Sequence, residues 1–450
     1  MRRTRRALPS QQPFETNKAR MQKRSLFTIA LLAAGPAARL AMAQAPRRLS
    51  LAEAQQTALR NHPRIASASL MAEAAKSVVA ESRSAYYPFV AGNFTSVGAE
   101  HSSTLAAGAV QTSSLYSRVA AGVTVGQLIA DFGRTRRLVE SAELRASAEE
   151  QSLQNTRAQI LIQVDRAYYK ALAADAVLKV AQAVLDNRRL VLRQVTALAQ
   201  SSLKSTLDVS FADVAASDAE LALVAAENDA AAGRARLAAA LGARQTESFE
   251  LTDEPLPPAL EPSPEGLIAQ ALKERPDLAA LRLASDAAHR FAEAERALSR
   301  PTVTLMGVAG GLPETDPRLN GTYSAAGVNL TVPVLNGKLY VARRAEAELR
   351  AQALDRNVED LTVQISEQVR VAWLEANTAF LRLDVTARLV AQAEQSLRLA
   401  QVRYDNGLGS IVELNQAQVS QVSAAIAAAG AKYDYLSRRA ELAFEMGVLR

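Results

Sequence analysis

The chain has 450 residues, 49% hydrophobic, 5% aromatic and 22% charged, with a formal net charge of +6 and no cysteine. Without cysteine there is no disulfide framework, thiolate metal site, cysteine nucleophile or lipidated cysteine, and the histidines at 62, 101 and 289 are too scattered for a metal-ligand spacing. Residues 1–43 hold nine Lys/Arg and one acid, so the remainder carries 43 basic and 45 acidic residues and presents no electrostatic footprint for nucleic acid.

The basic leader reads as an export signal. Met21-Gln22-Lys23-Arg24 is a short positive stretch, Leu26–Ala34 is apolar and uncharged, and Ala41-Met42-Ala43-Gln44-Ala45 offers small-x-small cleavage. Cleavage is expected after Ala43 rather than Ala45, because Pro46 follows the second bond; residues 1–20 are an extended leader or precede a true start at Met21. No later apolar run reaches the roughly 18 residues of a membrane-spanning helix, so an exported chain without such a helix is expected.

From there the sequence says everything twice. Leu51–Pro63 (LAEAQQTALRNHP) matches Leu267–Pro276 (LIAQALKERP) at an offset of 213. Tyr87-Pro88 matches Arg300-Pro301 at the same offset, and Ala240-Leu241-Gly242 matches Glu445-Met446-Gly447 at 205. The first copy therefore holds about nine extra residues between Pro88 and Gly133. Five of the twelve residues of Asp253–Pro264 are Pro, which predicts an extended linker between a first repeat over 44–252 and a second over 265–450.

Gly and Pro punctuate the elements. No Gly occurs between Gly133 and Gly233 or between Gly337 and Gly407. Inside these windows Ile160, Val164, Ala167, Ala171, Ala174, Leu178, Leu185 and Leu192 form a stripe of heptad-like period. It recurs 205 residues later as Ile365, Val369, Ala372, Ala376, Ala379, Leu383, Val390 and Leu397. The pattern predicts long helices over Arg134–Gln200 and Lys338–Asp405, each roughly 100 Å long at about 1.5 Å per residue. Each then turns back into a shorter helix, Leu207–Leu241 and Ile411–Met446. Helices of that length bury their stripe by lateral coiled-coil packing.

Strand-like segments lie at about Pro88–Val97, Tyr116–Leu128, Pro301–Ala309 and Tyr323–Val334. In the last, Ala326, Val328, Leu330 and Val332 alternate with Ala325, Gly327, Asn329 and Thr331. Such alternation over about ten residues suits a membrane β-strand or a soluble sheet with one wet face. Tyr86, Tyr87, Tyr116 and Tyr323 sit at strand ends, where interfacial aromatics belong; Gly98–Leu115 and Gly310–Thr322 read as polar loops. If the strands span a bilayer, four cannot close alone, and three chains would share a twelve-stranded barrel.

The tandem order of helices, strand pair, very long helix and returning helix resembles the TolC-type outer-membrane efflux proteins. The resemblance rests on the lead-ins Tyr87-Pro88 and Arg300-Pro301, the strand exits Gln127–Arg134 (QLIADFGR) and Thr331–Lys338 (TVPVLNGK), and the turn Arg403–Leu414 (RYDNGLGSIVEL). It covers Leu49–Leu449. It implies a mainly α fold with membrane β: an α-barrel of long antiparallel coiled-coil helices plus four strands per chain completing a 12-stranded trimeric β-barrel. It further implies a homotrimer in outer-membrane lipid, docked on a periplasmic adaptor and an inner-membrane transporter of the RND or ABC class. The duct closes at rest by inward coiling of helix pairs. No cofactor, metal or enzymatic activity is expected.

By the same resemblance the turns between hairpin helices are the site. Ser202, Leu203, Gly407 and Leu408 match adaptor-docking positions, with Ser202 where relatives carry Gly. Asp208, Tyr404 and Glu413 match gate or cation-selecting positions. Read without it, Ser205-x-x-Asp208 and Ser410-x-x-Glu413 are capping boxes that start the returning helices. The family's gate arginine is replaced by Gly409 and a second ring acid by Gln416, so a salt-bridged gate and a strong cation preference are not expected. Trp373 and His62 read as a packing and a helix-end residue, and Lys338, Arg343, Arg344, Arg234, Arg236, Arg438 and Arg439 as solvated cations. A type I secretion channel is the nearest rival within the family. A periplasmic adaptor would show one hairpin rather than two, and a coiled-coil scaffold leaves the strands unexplained.

Overall fold

The computed structural model describes residues 47–98, 100, 104–107, 110–114, 117–243, 249–315 and 320–449. The leader, its cleavage site and Tyr116 lie outside them. Eight helices and eight strands are described, in the order β1(Arg47–Leu49), α1(Leu51–Asn61), α2(Pro63–Arg83), β2(Phe89–Val97), β3(Thr104–Ala107), β4(Val110–Ser114), β5(Arg118–Ala130), α3(Arg134–Gln200), α4(Thr206–Ala240), β6(Phe249–Leu251), α5(Glu265–Glu274), α6(Pro276–Arg296), β7(Thr302–Thr315), β8(Thr322–Thr331), α7(Leu339–Asp405) and α8(Ile411–Glu445).

Both long helices begin just after a pair of left-handed residues, Phe132-Gly133 (φ 54° and 93°) and Gly337-Lys338 (φ 59° and 68°). Asp131 then accepts from the amides of Gly133 and Thr135 to cap α3. The two apolar stripes are the packed faces: Ile160, Val164, Ala171 and Leu185 are buried in α3, and Ile365, Val369, Ala372, Ala376 and Ala379 in α7. α3 packs on α4 and α7 on α8, while α8 also packs on α3 and scarcely touches α4. The four helices thus lie side by side in the order α4, α3, α8, α7. Farther along, α2 takes the place of α4 beside α3, and α6 that of α8 between α3 and α7.

The two stacked pairs meet at a glycine. Gly242 (φ 73°) ends α4 so close to His62 that an added Cβ would lie 3.0 Å from its Cα, and Gly447 (φ 74°) ends α8 with an added Cβ 2.9 Å from Arg275 Cα. The residues that receive them differ. Arg275 is buried and donates to Asp277, Gln368 and Glu445, whereas His62 accepts from the Arg64 amide and caps α2. Between the repeats, β1 pairs parallel with β6. Tyr168, fully buried, donates to the carbonyls of Leu49 and Thr252 and pins that pair to α3. The short pair is invisible in the sequence, because three residues leave no alternation to read. Trp373 packs at the edge of the second core and donates to the Glu261 carbonyl in the linker.

The main sheet is antiparallel, in the order β2-β5-β7-β8. Its register puts Val90, Phe94, Val123, Val125, Leu305, Val328 and Leu330 on one face. Asn93, Thr124, Gly126, Thr304, Gly327, Asn329 and Thr331 share the other, where Asn93 donates to Thr124. Phe94 is 74% exposed and Val328 69%, no helix packs on either face, and β2 and β8 are unpaired edges among the described residues.

Three strand-region expectations change. The segment 98–115 contains a β3–β4 hairpin, because Thr, Val and Ser suit a strand as readily as a polar loop. β7 continues to Thr315, past the glycines expected to end it. Tyr323 does not begin its strand, which starts at Thr322; it lies on the face of Asn329 and Thr331, in register with Gly310 and through it with Gly122. A Cβ at either glycine would collide with its hydroxyl. Tyr86 and Tyr87 stay exposed just before β2.

Candidate functional site at the paired helix turns

The turns joining α3 to α4 and α7 to α8 are built alike. Ser202 has φ 59° and Gly407 φ 71°. In the first turn the Leu203 amide donates to the Leu198 carbonyl and that of Ser202 to Ala199. In the second, Leu408 donates to Arg403 and Gly407 to Tyr404. This is a Schellman stop in duplicate, with a serine accepting the left-handed conformation in the first copy. Leu203 and Leu408, one residue on, are 69% and 72% exposed, so each turn projects one bare leucine into solvent.

The two candidate acids behave differently. Asp208 completes its capping box: its carboxylate accepts from the Ser205 amide, and Ser205 Oγ accepts from Leu207. Glu413 forms only half of its own. Ser410 Oγ accepts from the Glu413 amide, but the carboxylate turns to Arg403, with Oε1 3.0 Å from Nε. A salt bridge therefore closes the second turn on itself. Arg403 supplies the cation from the end of α7, and Gly409 leaves it room: a Cβ there would lie 3.1 Å from Arg403 Cβ and 3.2 Å from Glu413 Oε2. Gln416 is exposed on α8.

Tyr404 is 4% exposed, packed with Ala400, Ile411, Leu414 and Ala417. Burial pushes its phenol up from the ordinary value, helped by Asp208 and Asp405, and its hydroxyl has no hydrogen-bond partner. Asp208 therefore acts on it through charge alone. What touches Tyr404 is Lys204, whose Nζ lies 3.7 Å from the ring centroid and 3.3 Å from the Tyr404 carbonyl oxygen. Lys204 and Arg403 escape a reading by single motifs. The clue available was position: Lys204 lies 205 residues before Gly409, so the first turn keeps a cation where the second has lost one. Among the described residues no cluster of His, Cys, Asp and Glu could hold a metal ion.

The family model for the outer membrane efflux protein matches residues 54–243 and again 267–448. The chain belongs to this family. Membership places it among proteins of the outer membrane. It is 26% identical over 326 residues to the probable efflux pump outer membrane protein TtgC of Pseudomonas putida, covering 70% of this chain and 66% of TtgC. It is 28% identical over 182 residues to the alkaline protease secretion protein AprF of Pseudomonas aeruginosa, covering 40% of this chain and 38% of AprF. The matched stretches thus span less than two thirds of either relative. In fold it is similar to the outer-membrane channel OprN, with a TM-score of 0.78 at 20% identity over 88% of this chain and 89% of that one.

Proposed function

We propose that this efflux protein is the exit duct of a tripartite export system, a homotrimer whose twelve strands close one barrel and whose long helices pack as antiparallel coiled coils into a periplasmic tunnel. The observation that carries the reading is the bare sheet. Among the described residues its apolar face is uncovered and both edges are open, a state tolerated only if lipid covers the face and other copies pair the edges. The helices support the same closure: α4 and α7, at the two margins, expose Leu221, Val224, Leu381 and Leu389, so the α4 side of one copy has an apolar partner in the α7 side of the next. In this reading the turns form the far end of the tunnel. Leu203 and Leu408, with Ser202 and Gly407, meet the adaptor, Asp208, Tyr404 and Glu413 line the gate, and Tyr86 and Tyr87 lie at the membrane interface. Drugs or other small molecules pass without chemistry, driven by an RND or ABC transporter.

The mass of the particle extracted from outer membranes in mild detergent, corrected for bound detergent, tests this. Three chains per particle are expected; a periplasmic monomer would overturn the reading. A second reading, the outer-membrane channel of a type I secretion system, draws on the likeness to AprF. Crosslinking the tips in cells separates the two, since efflux predicts capture of an RND-type adaptor and secretion that of an ABC exporter's adaptor.

A further inference from the structure

Between the two hairpins, where α3 passes α8, lies a cavity of about 330 Å³ lined by Val184, Leu397, Val422, Arg188, Gln418 and Gln421, among others. Gln418 is seven residues into α8, which places the cavity on the order of 10 Å behind the turn at about 1.5 Å per residue.

Arg188 does not belong there on packing grounds. It follows Leu185 on the face that α3 buries and is itself 7% exposed. The equivalent position 205 residues on is Ala393, also buried, so the helix seam does not require a long cation. Among the described residues no carboxylate lies within ion-pair distance of Arg188, whereas its neighbour Arg189 pairs with Glu220. Burial pushes the guanidinium down from its ordinary value, with only Asp218 acting against it. An arginine nevertheless stays charged, and none of its nitrogens is among the atoms sealed from solvent without a partner, so the guanidinium opens onto the cavity. Beside it Gln418 is 5% exposed and its Oε1 has no hydrogen-bond partner. The cavity therefore presents one cation without an ion-pair partner and an apolar wall, at the lower end of the roughly 300–1,000 Å³ of small-molecule sites.

We infer that this cavity is a binding site for a small amphipathic anion, whose apolar body lies on Val184, Leu397 and Val422 and whose carboxylate or comparable group meets Arg188. Because the lining comes from both hairpins, an occupant ties α3 to α8 just behind the turns.

The test uses 6-hydroxy-2-naphthoate, followed by its fluorescence and by equilibrium dialysis against the intact protein in detergent, with empty micelles subtracted. Saturable binding at one site per chain is expected, at least tenfold tighter than that of the uncharged analogue bearing a hydroxymethyl group in place of the carboxylate. Arg188→Met should weaken it at least tenfold. Gln418→Glu should abolish it while raising the melting temperature, because the new carboxylate pairs with Arg188 from within; this variant keeps the test decisive should Arg188→Met fold poorly. Val184→Trp, which fills the cavity, should also block binding. Uptake that does not saturate, that ignores the probe's charge, or that survives Gln418→Glu unchanged would overturn the inference. The readout is binding alone and does not depend on the protein acting as a duct.

Discussion

Lys204 stands over the ring of Tyr404, its Nζ 3.7 Å from the centroid and 3.3 Å from the backbone oxygen of the same residue. One side chain from the first turn thus holds the end of the long helix in the second hairpin through both its π face and its carbonyl. A half-buried cation–π contact of this kind is worth about 1 kcal/mol. Lys204→Met is expected to lower the melting temperature slightly and to raise single-channel conductance in planar bilayers, since the turns are then free to part. Unchanged conductance would remove Lys204 from the gate. Tyr404→Phe keeps the ring and deletes a buried hydroxyl that has no partner, so stability should hold or rise.

The Arg403–Glu413 pair is roughly half exposed, so its contribution to stability is at most about 1 kcal/mol. Its consequence is for charge at the tip. Glu413→Gln should leave melting almost unchanged and shift the reversal potential in a salt gradient toward weaker cation preference. Gly409→Ala pushes against both partners and should loosen the pair without removing the acid. An identical reversal potential for wild type and Glu413→Gln would place Glu413 outside the conduction path.

Ser202 adopts a left-handed backbone that costs an L-residue about 1 kcal/mol or more. Ser202→Gly should therefore stabilise the protein by about 1 kcal/mol, read as a higher melting temperature. Gly407→Ala should lower it by a similar amount. Opposite signs from equivalent positions are the signature to look for.

Asp165 is 2% exposed, accepts from Gln55, and is pushed up to about 6, first by burial and then by the charge of Glu254. A carboxyl whose folded pKa exceeds its unfolded value of about 3.9 binds its proton more tightly in the fold, so stability falls as pH rises between about 4 and 6. Asp165→Asn should flatten that slope and stabilise the protein at neutral pH by roughly 1–3 kcal/mol. Melting temperatures at pH 4.5 and 7.5 decide it: parallel curves for the two proteins would refute the assignment.

Gly310 leaves no room for a side chain, since a Cβ would sit 2.5 Å from the Ala121 carbonyl oxygen and collide with Tyr323. Gly310→Val should prevent β5, β7 and β8 from aligning, seen as loss of the proposed three-chain particle in mild detergent. Tyr323→Ala alone should leave the sheet intact.

The helices were legible because their signals are long. A stripe of eight apolar positions, repeated 205 residues later, admits one periodicity; α7 starts and stops where its glycine-free window places it, and α3 ends at the equivalent residue, Gln200, with no glycine to mark it. Strand existence was equally plain, yet strand ends were not: Gly310 and Gly311 looked like a loop and proved to be ladder residues opposite Tyr323 and Thr322. Tyr323 was read from its place in the segment, whereas its face follows from register, which depends on partners far away in the chain. At the turns, serine-x-x-acid identified the caps, but nothing local says that Asp208 would close its box while Glu413 would leave for Arg403. The Lys204–Tyr404 contact joins residues 200 positions apart, and no pattern in one sequence encodes it.

The uncovered sheet also fixes an order of events. The helical part has its own buried clusters around Ile160 and Tyr168 and around Ile365 and Val369, so it can acquire its shape as soon as the chain is released from the export machinery. The strands have no such independence: Val90, Phe94, Val328 and Leu330 find no cover among the described residues of one chain. Until then each copy travels with two raw β-edges beside an oily surface, the combination that seeds aggregation. If three copies close one barrel as proposed above, biogenesis is a race between docking with its fellows at the lipid boundary and sticking to whatever strand arrives first. Agents that slow delivery should spoil the protein from the sheet end, with its helices already formed.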